Sequence, residues 1–257
     1  MIKYLPANEI GEDYVCGDLH GHRQLLMEKL DHLGFDFGKD RLFCTGDLND
    51  RGPDSFGTLG LVFEPWFHFV RGNHEEDLPG FIEYEFSKFP DWRPAYCDQD
   101  WLYGLNEVQI QHLKEKILPK LAEAPFALHV EGPQGFWVVH ADRCEAGGYQ
   151  NPAVLLDDEK FPLADDARQK ESFLWSRRLF NQIPIALEER EGFLVAPGME
   201  MEPGIGLTFV GHNIVARPTL YRSHFFVDTG VYLPGSELTM LRVSDLKTAI
   251  NKFLEKG

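Results

Sequence analysis

The chain has 257 residues, 43% of them hydrophobic and 13% aromatic, with a formal net charge of −16 and a pI near 5.0. That apolar content supplies a large core and excludes disorder over the whole length; the length suits one α/β unit with room for an insertion. The acidic balance argues against binding a nucleic-acid backbone, which needs clustered cations, so no nucleic-acid partner is expected.

The N-terminal stretch has no charged region followed by a long apolar run, and no segment approaches the roughly 18 apolar residues of a membrane span. No membrane partner is expected. Cys16, Cys44, Cys97 and Cys144 are scattered without C-x-x-C spacing, which reads as a reducing, cytoplasmic setting with neither a disulfide framework nor a zinc ribbon.

In chain order, a pattern repeats in the first third: a short run of strand formers stops abruptly at Gly-Asp or Gly-Asn. Residues 14–16 lead into Gly17-Asp18, residues 42–44 into Gly46-Asp47, and residues 67–70 into Gly72-Asn73. Leu25, Leu26, Lys29, Leu30 and Leu33 fall at helical spacing between the first two. Residues 76–125 read as a helical insertion flanking the site, with 107–121 as one amphipathic helix anchored by Val108, Ile110, Leu113, Ile117 and Leu121. Strands are expected again over 126–130 and 136–139, the second ending in His140-Ala141-Asp142. An acidic loop (157–166), a helix (172–180) and a long loop (192–206) follow, then a strand over 208–210 ending in Gly211-His212-Asn213. Strands over 225–228 and 238–243 and a helix over 246–254 close the chain. Such strand–helix alternation predicts an α/β architecture, whose ligands bind beyond the carboxyl ends of the strands.

The polar residues collected at those ends are Asp18, His20, Asp47, Asn73, His140 and His212. Oxygen and imidazole donors suit Mn²⁺, Fe²⁺ or Zn²⁺, and the absence of thiolate disfavours a structural zinc site. Asp18 and His20 are two apart, so a continuing strand would point both to one side. Each alone has a plain structural explanation, as a turn-starting Asp or a satisfied core His; the repetition is what suggests a site.

Gly17-Asp18-Leu19-His20-Gly21, Gly46-Asp47-Leu48-Asn49-Asp50-Arg51-Gly52 and Gly72-Asn73-His74-Glu75 resemble, in order and spacing, the GDxHG, GDxxDRG and GNHE motifs of the PPP phosphoprotein phosphatases, and His140 and His212 resemble that family's later histidines. The small bacterial and bacteriophage lambda type is the nearest form, and the resemblance runs from about residue 15 to 231. It implies a metallophosphoesterase-type β-sandwich of mixed sheets flanked by helices, with one catalytic domain over 1–257. It further implies two divalent metal ions, Mn²⁺ first with Fe or Zn as alternatives. Asp18 and His20 would hold the first metal, Asp47 would bridge, and Asn73, His140 and His212 would complete the second site. A hydroxide activated between the metals would attack phosphorus in line. His74 would be the general acid, oriented by Asp50. Arg51 would grip the phosphate, with Arg177 of Leu174-Trp175-Ser176-Arg177 as a second clamp and Arg178 as its alternative.

On this reading the chain is a serine/threonine protein phosphatase, with dual specificity open, acting on phosphorylated proteins or peptides and on small phosphoesters. A symmetric diadenosine polyphosphate hydrolase is the alternative on the same fold. Such hydrolases resemble this chain around residues 38–53, but typically carry Ala where this chain has Asp50, and GNHD where it has Glu75. A non-enzymatic binding protein would be expected to have lost a ligand or the acid, and every one is present. Glu75 and Asp142 read as outer carboxylates orienting the histidine ligands. His22, His32, His68, His112, His129 and His224 match no motif. One departure stands out: Asn213-Ile214 replaces the Thr-Pro expected after Gly211-His212.

Overall fold

Residues 14–16 and 42–44 alternate in the faces they bury, and that alternation generates the layers. The computed structural model describes residues 2–83, 98–133, 135–145, 154–161 and 167–255. Its elements in chain order are β1 (Ile2–Leu5), β2 (Asp13–Cys16), α1 (Arg23–His32), β3 (Arg41–Cys44), α2 (Ser55–Leu59), β4 (Phe67–Phe69), α3 (Asn73–Phe81), α4 (Glu107–His112) and α5 (Leu118–Glu123). Then come β5 (Ala127–Val130), β6 (Phe136–Val139), α6 (Ala167–Trp175), β7 (Glu188–Arg190), β8 (Phe193–Val195), β9 (Thr208–Val210), β10 (Thr219–Tyr221), β11 (His224–Phe226), β12 (Met240–Arg242) and α7 (Val243–Leu254).

The strands form two mixed sheets, one ordered β1-β5-β6-β9-β11-β10-β8-β7 and the other β12-β2-β3-β4. Successive strand residues point to opposite faces. Val15 and Phe43 therefore pack inward with Leu128, Phe136, Val138, Phe209 and Phe225 of the facing sheet. Tyr14, Cys16, Leu42 and Cys44 face the other way, against Leu26 and Leu30 of α1, Leu78 of α3, and Leu113, Ile117 and Leu121. Ala127, Trp137, Val139 and Phe226 line the outer face of the larger sheet, with Phe161 and Phe173 packed on them. The result is a sandwich of mixed sheets flanked by helices, as expected. Each fully buried Leu or Phe contributes about 1.5–3 kcal/mol.

Register brings the site together. β2, β3 and β4 run parallel, with Cys16 opposite Cys44 and Cys44 opposite Phe69; β6 and β9 are parallel with Val139 opposite Val210. The residues just past these strands therefore emerge at one edge of the sandwich.

Several expectations change. The helix read over 107–121 contains a π-helical stretch, Leu113–Ile117, between α4 and α5, and Val108 is 75% exposed, so it anchors nothing. The helix read over 172–180 starts earlier and stops at Trp175, with a 3₁₀ turn at Phe180–Gln182. Part of the loop read over 192–206 is β8, which pairs with β7; β1 and β10 were not foreseen either. Residues 84–97 of the insertion, residues 162–166 of the acidic loop, and Cys97 lie outside the described residues. Among the described residues, no helix is long and apolar enough to cross a membrane.

Candidate active site

β2 ends at Cys16, so Asp18 and His20 are not on a continuing strand. The chain instead turns: the N–H groups of Leu19 and His20 both donate to the Asp47 carbonyl, at 3.1 and 2.8 Å. His20 takes a left-handed φ of 39°, as do Asp47 (50°), Asp50 (73°), Arg51 (67°) and His212 (58°). Left-handed backbone at non-glycine residues costs on the order of 1–3 kcal/mol and persists where the surroundings over-determine it. Two glycines make room for the carboxylates. A Cβ on Gly211 would fall 2.1 Å from Asp18 Oδ1, and one on Gly72 2.2 Å from Asp47 Oδ1.

Glu75 and Asp142 do not orient the histidines. Glu75 accepts the backbone N–H groups of Asp47 (2.9 Å), Leu48 (2.6 Å) and Gly72 (2.8 Å), tying the second motif to the start of α3. Burial, then the Asp47 charge, pushes the Glu75 carboxyl up to about 7. Asp142 accepts from Cys144 Sγ, Ser176 Oγ and the Leu179 N–H, so it holds the turn that carries Arg177. Glu75 thus serves backbone N–H groups that no strand partner satisfies, and Asp142 serves two side chains and one backbone N–H of the turn.

The donor atoms converge on Asp47. His140 Nε2 lies 3.5 Å from its Oδ1, and His20 Nε2 and His74 Nε2 lie 3.8 and 3.9 Å from its Oδ2. Asn73 Oδ1 is 2.9 Å from His140 Nε2 and 3.0 Å from His212 Nδ1. Donors that share one cation at about 2.1 Å stand roughly 3–3.5 Å apart, so this spacing suits metal ions. His20 Nδ1 pairs with the Asn49 carbonyl (3.0 Å) and His140 Nδ1 with the Thr45 carbonyl (2.8 Å). Those contacts place the ring proton on Nδ1 and leave Nε2 with a lone pair. His212 Nε2 is buried and has no hydrogen-bond partner among the described residues. Burial lowers His20 and His212 to about 3, keeping both neutral as a ligand must be.

Asp18 stands slightly apart. Its Oδ1 accepts from Thr45 Oγ1 at 2.7 Å and its Oδ2 from the His212 N–H at 2.9 Å; each oxygen keeps a second lone pair. Burial, then the charges of Asp228 and Asp47, raises the Asp18 carboxyl well above its ordinary range. Asp228 is raised to about 6, first by burial. Burial would raise Asp47 as well, but His140, His74, His20 and His212 outweigh it and hold it below the usual range. Buried, mutually repelling carboxylates beside neutral imidazoles are the donor set of a site for divalent cations.

His74, at the start of α3, sits with Nδ1 2.6 Å from Asp50 Oδ2. Burial alone would lower this imidazole; the Asp47 charge and the Asp50 hydrogen bond overcome it and raise His74 to about 9. Arg51 lies over the Tyr232 ring at 4.6 Å and donates through Nη1 to His20 Nε2 (2.9 Å) and through Nε to Asp98 (3.2 Å). Asp18, His20, Asp47, Arg51, Asn73, His74, Arg177 and His212 all line one cavity of about 260 Å³, closed by Trp175, Ile214, Asp228 and Tyr232. His140 and Asp50 lie behind its wall, fully buried. Arg177 faces the cavity, whereas Arg178 is buried and donates to the Glu145 carbonyl at 2.6 Å.

Trp175 entered only with the segment that carries Arg177, and sequence reasoning missed Asp228, Tyr232, Gln99 and Trp101. Asp228 had a signal, since Phe225–Phe226–Val227 stops at Asp228 in the same strand-then-polar pattern. The aromatic and amide residues had none.

Residues 14–212 match the family of calcineurin-like phosphoesterases, which use a dinuclear divalent metal centre. The chain is 51% identical over 239 residues to serine/threonine-protein phosphatase 1 of Salmonella typhimurium, covering 90% of this chain and 91% of that protein. It is 41% identical to a symmetrical bis(5'-nucleosyl)-tetraphosphatase of Nitrosomonas europaea, but over 67 residues only, 25% of each chain. A solved protein serine/threonine phosphatase from Saccharomyces cerevisiae shares the fold, with a TM-score of 0.52 and 15% identity over 88% of this chain and 70% of that one. The chain therefore belongs to the calcineurin-like phosphoesterase family and is a hydrolase of phosphoesters.

Proposed function

We propose that the chain is a serine/threonine protein phosphatase, open to dual specificity, that works as one catalytic domain over residues 1–257 with two divalent cations, Mn²⁺ first. The observation that carries this reading is the 2.6 Å contact between His74 and the buried Asp50. A phosphomonoester of serine or threonine departs as an alkoxide, which needs a proton. A nucleotide leaving from a phosphoanhydride is already a stable anion and needs none. An imidazole kept protonated by a buried carboxylate is therefore of most use against monoesters. The 51% identity to a serine/threonine-protein phosphatase points the same way.

Asp18 and His20 would hold one cation, Asn73, His140 and His212 the other, and Asp47 both. When bound, the cations polarise the phosphoryl oxygens and lower the pKa of a coordinated water. Arg51 and Arg177 grip the remaining phosphate oxygens from two sides and set the ester for in-line displacement. His74 passes its Nε2 proton to the ester oxygen as the P–O bond breaks, while Asp50 holds the ring by Nδ1 and stabilises its charge. Water supplies the new oxygen on phosphorus, and the products are the free hydroxyl and inorganic phosphate.

The test is a side-by-side assay of the Mn²⁺-loaded protein on phosphoserine, phosphothreonine and phosphotyrosine peptides and on diadenosine tetraphosphate. Preference for phosphoserine or phosphothreonine peptides is expected. A clear preference for the dinucleotide would replace this reading with the tetraphosphatase one.

A further inference from the structure

Asp50 and Arg51 are two adjacent non-glycine residues in left-handed backbone, with φ of 73° and 67°. The Asp50 carboxylate is wholly buried, so its charge must be met by donors. His74 supplies one. The others come from far along the chain, within the insertion. Trp101 Nε1 donates to Asp50 Oδ1 at 2.6 Å, and Gln99 Nε2 donates to Asp50 Oδ2 at 3.0 Å. From the same stretch, Asp98 Oδ2 accepts from Arg51 Nε at 3.2 Å. The following turn, Asp100–Gly104, is pinned by Leu102, which is 1% exposed within the core that also takes Leu113 and Ile117.

A carboxylate held at one oxygen alone can rotate about its Cβ–Cγ bond. Here the indole fixes one oxygen and the amide fixes the other, so the plane of the group is set and Oδ2 stays toward His74 Nδ1. We propose that Gln99 and Trp101 are positioning residues for leaving-group protonation, acting on His74 through the orientation of Asp50. The helical insertion then does more than flank the site, because two of its own residues complete the proton-delivering pair. This inference rests on His74 being the general acid.

The experiment compares Trp101→Phe, which keeps an aromatic ring and removes the N–H, with Gln99→Leu and with His74→Asn, all in Mn²⁺-loaded full-length protein. Turnover is measured on a phosphoserine peptide, whose alkoxide needs a proton, and on p-nitrophenyl phosphate, whose phenolate does not. Trp101→Phe and Gln99→Leu should each lower kcat on the peptide by on the order of tenfold, the equivalent of about 1.4 kcal/mol. They should lower it clearly less on p-nitrophenyl phosphate, with bound manganese unchanged. Equal losses on both substrates, or no loss on the peptide, in whichever of the two variants folds would overturn the proposal while the His74→Asn contrast stands. If His74→Asn itself lowers both substrates equally, the general-acid reading fails and this inference goes with it.

Discussion

Asn213 occupies the position where Thr was expected, and its contacts give that departure a measurable consequence. Its side chain is 1% exposed and bridges two neighbours: Oδ1 accepts from Arg177 Nη1 at 3.2 Å, and Nδ2 donates to the Ser176 carbonyl at 3.2 Å. The adjacent His212 is a metal-ligand candidate, so Asn213 couples the ligand loop to the phosphate clamp. Asn213→Ala removes both contacts. A hydrogen bond to a charged group is worth about 1.5–3 kcal/mol; because Arg177 is exposed, about 1 kcal/mol is the better figure, or roughly fivefold in phosphate affinity. Leaving the buried Ser176 carbonyl unpaired costs about 2 kcal/mol more in stability, a fall in Tm of roughly 4–8 °C for a chain of this size. The assay is competitive inhibition of p-nitrophenyl phosphate hydrolysis by inorganic phosphate. Ki and KM should rise together about fivefold with kcat little changed, the pattern of a grip made equally in ground and transition states. In an Arg177→Ala background the same substitution should add almost nothing to Ki. An unchanged Ki, or two fully additive effects, would refute the coupling.

Two other expectations concern the metals. Asp47→Asn should cost the protein bound manganese as well as turnover, because one oxygen of the pair facing His140 and His20 becomes a neutral amide; a variant that retains its full metal content removes the bridging role. In the metal-free protein, Asp228 is raised to about 6 and Asp18 above its ordinary value. The unfolded chain loses these protons near pH ~4, the folded chain only at higher pH, so the stability of the metal-free protein falls as pH rises through that window. Bound cations cancel the repulsion, and the rise in Tm on adding Mn²⁺ should be larger at pH 8 than at pH 5. Equal rises at the two values would argue against a carboxylate-lined cation site.

How much could be read without coordinates follows from which contacts are local. Glycine precedes His212 and Asn73 because the carboxylate of another strand end, Asp18 at Gly211 and Asp47 at Gly72, passes within about 2 Å of where a side chain would begin. That steric demand prints a strand–Gly–polar signature at Asn73 and His212, and the same pattern marked Asp18 and Asp47; His140 follows Val139 directly and was marked by its strand end alone. The β7–β8 hairpin left no such trace, since Glu188–Arg190 is exposed throughout and shows no apolar alternation.

Local pattern thus determined the α/β layering and the polar donors at the strand ends, because each is a property of a strand and the few residues after it; the pairing of His74 with Asp50 came from the motif resemblance. Tertiary structure alone decided that Arg177 faces the cavity while Arg178 turns away, that Asn213 braces Arg177 from 36 residues on, and that Trp101 reaches Asp50 across 51 residues. It also decided that Glu75 braces backbone and Asp142 the turn that carries Arg177, in place of histidines. The reason is physical. A side chain's long-range partner depends on how strands register and helices pack, and nothing in its own neighbourhood of the chain encodes which distant donor will meet it.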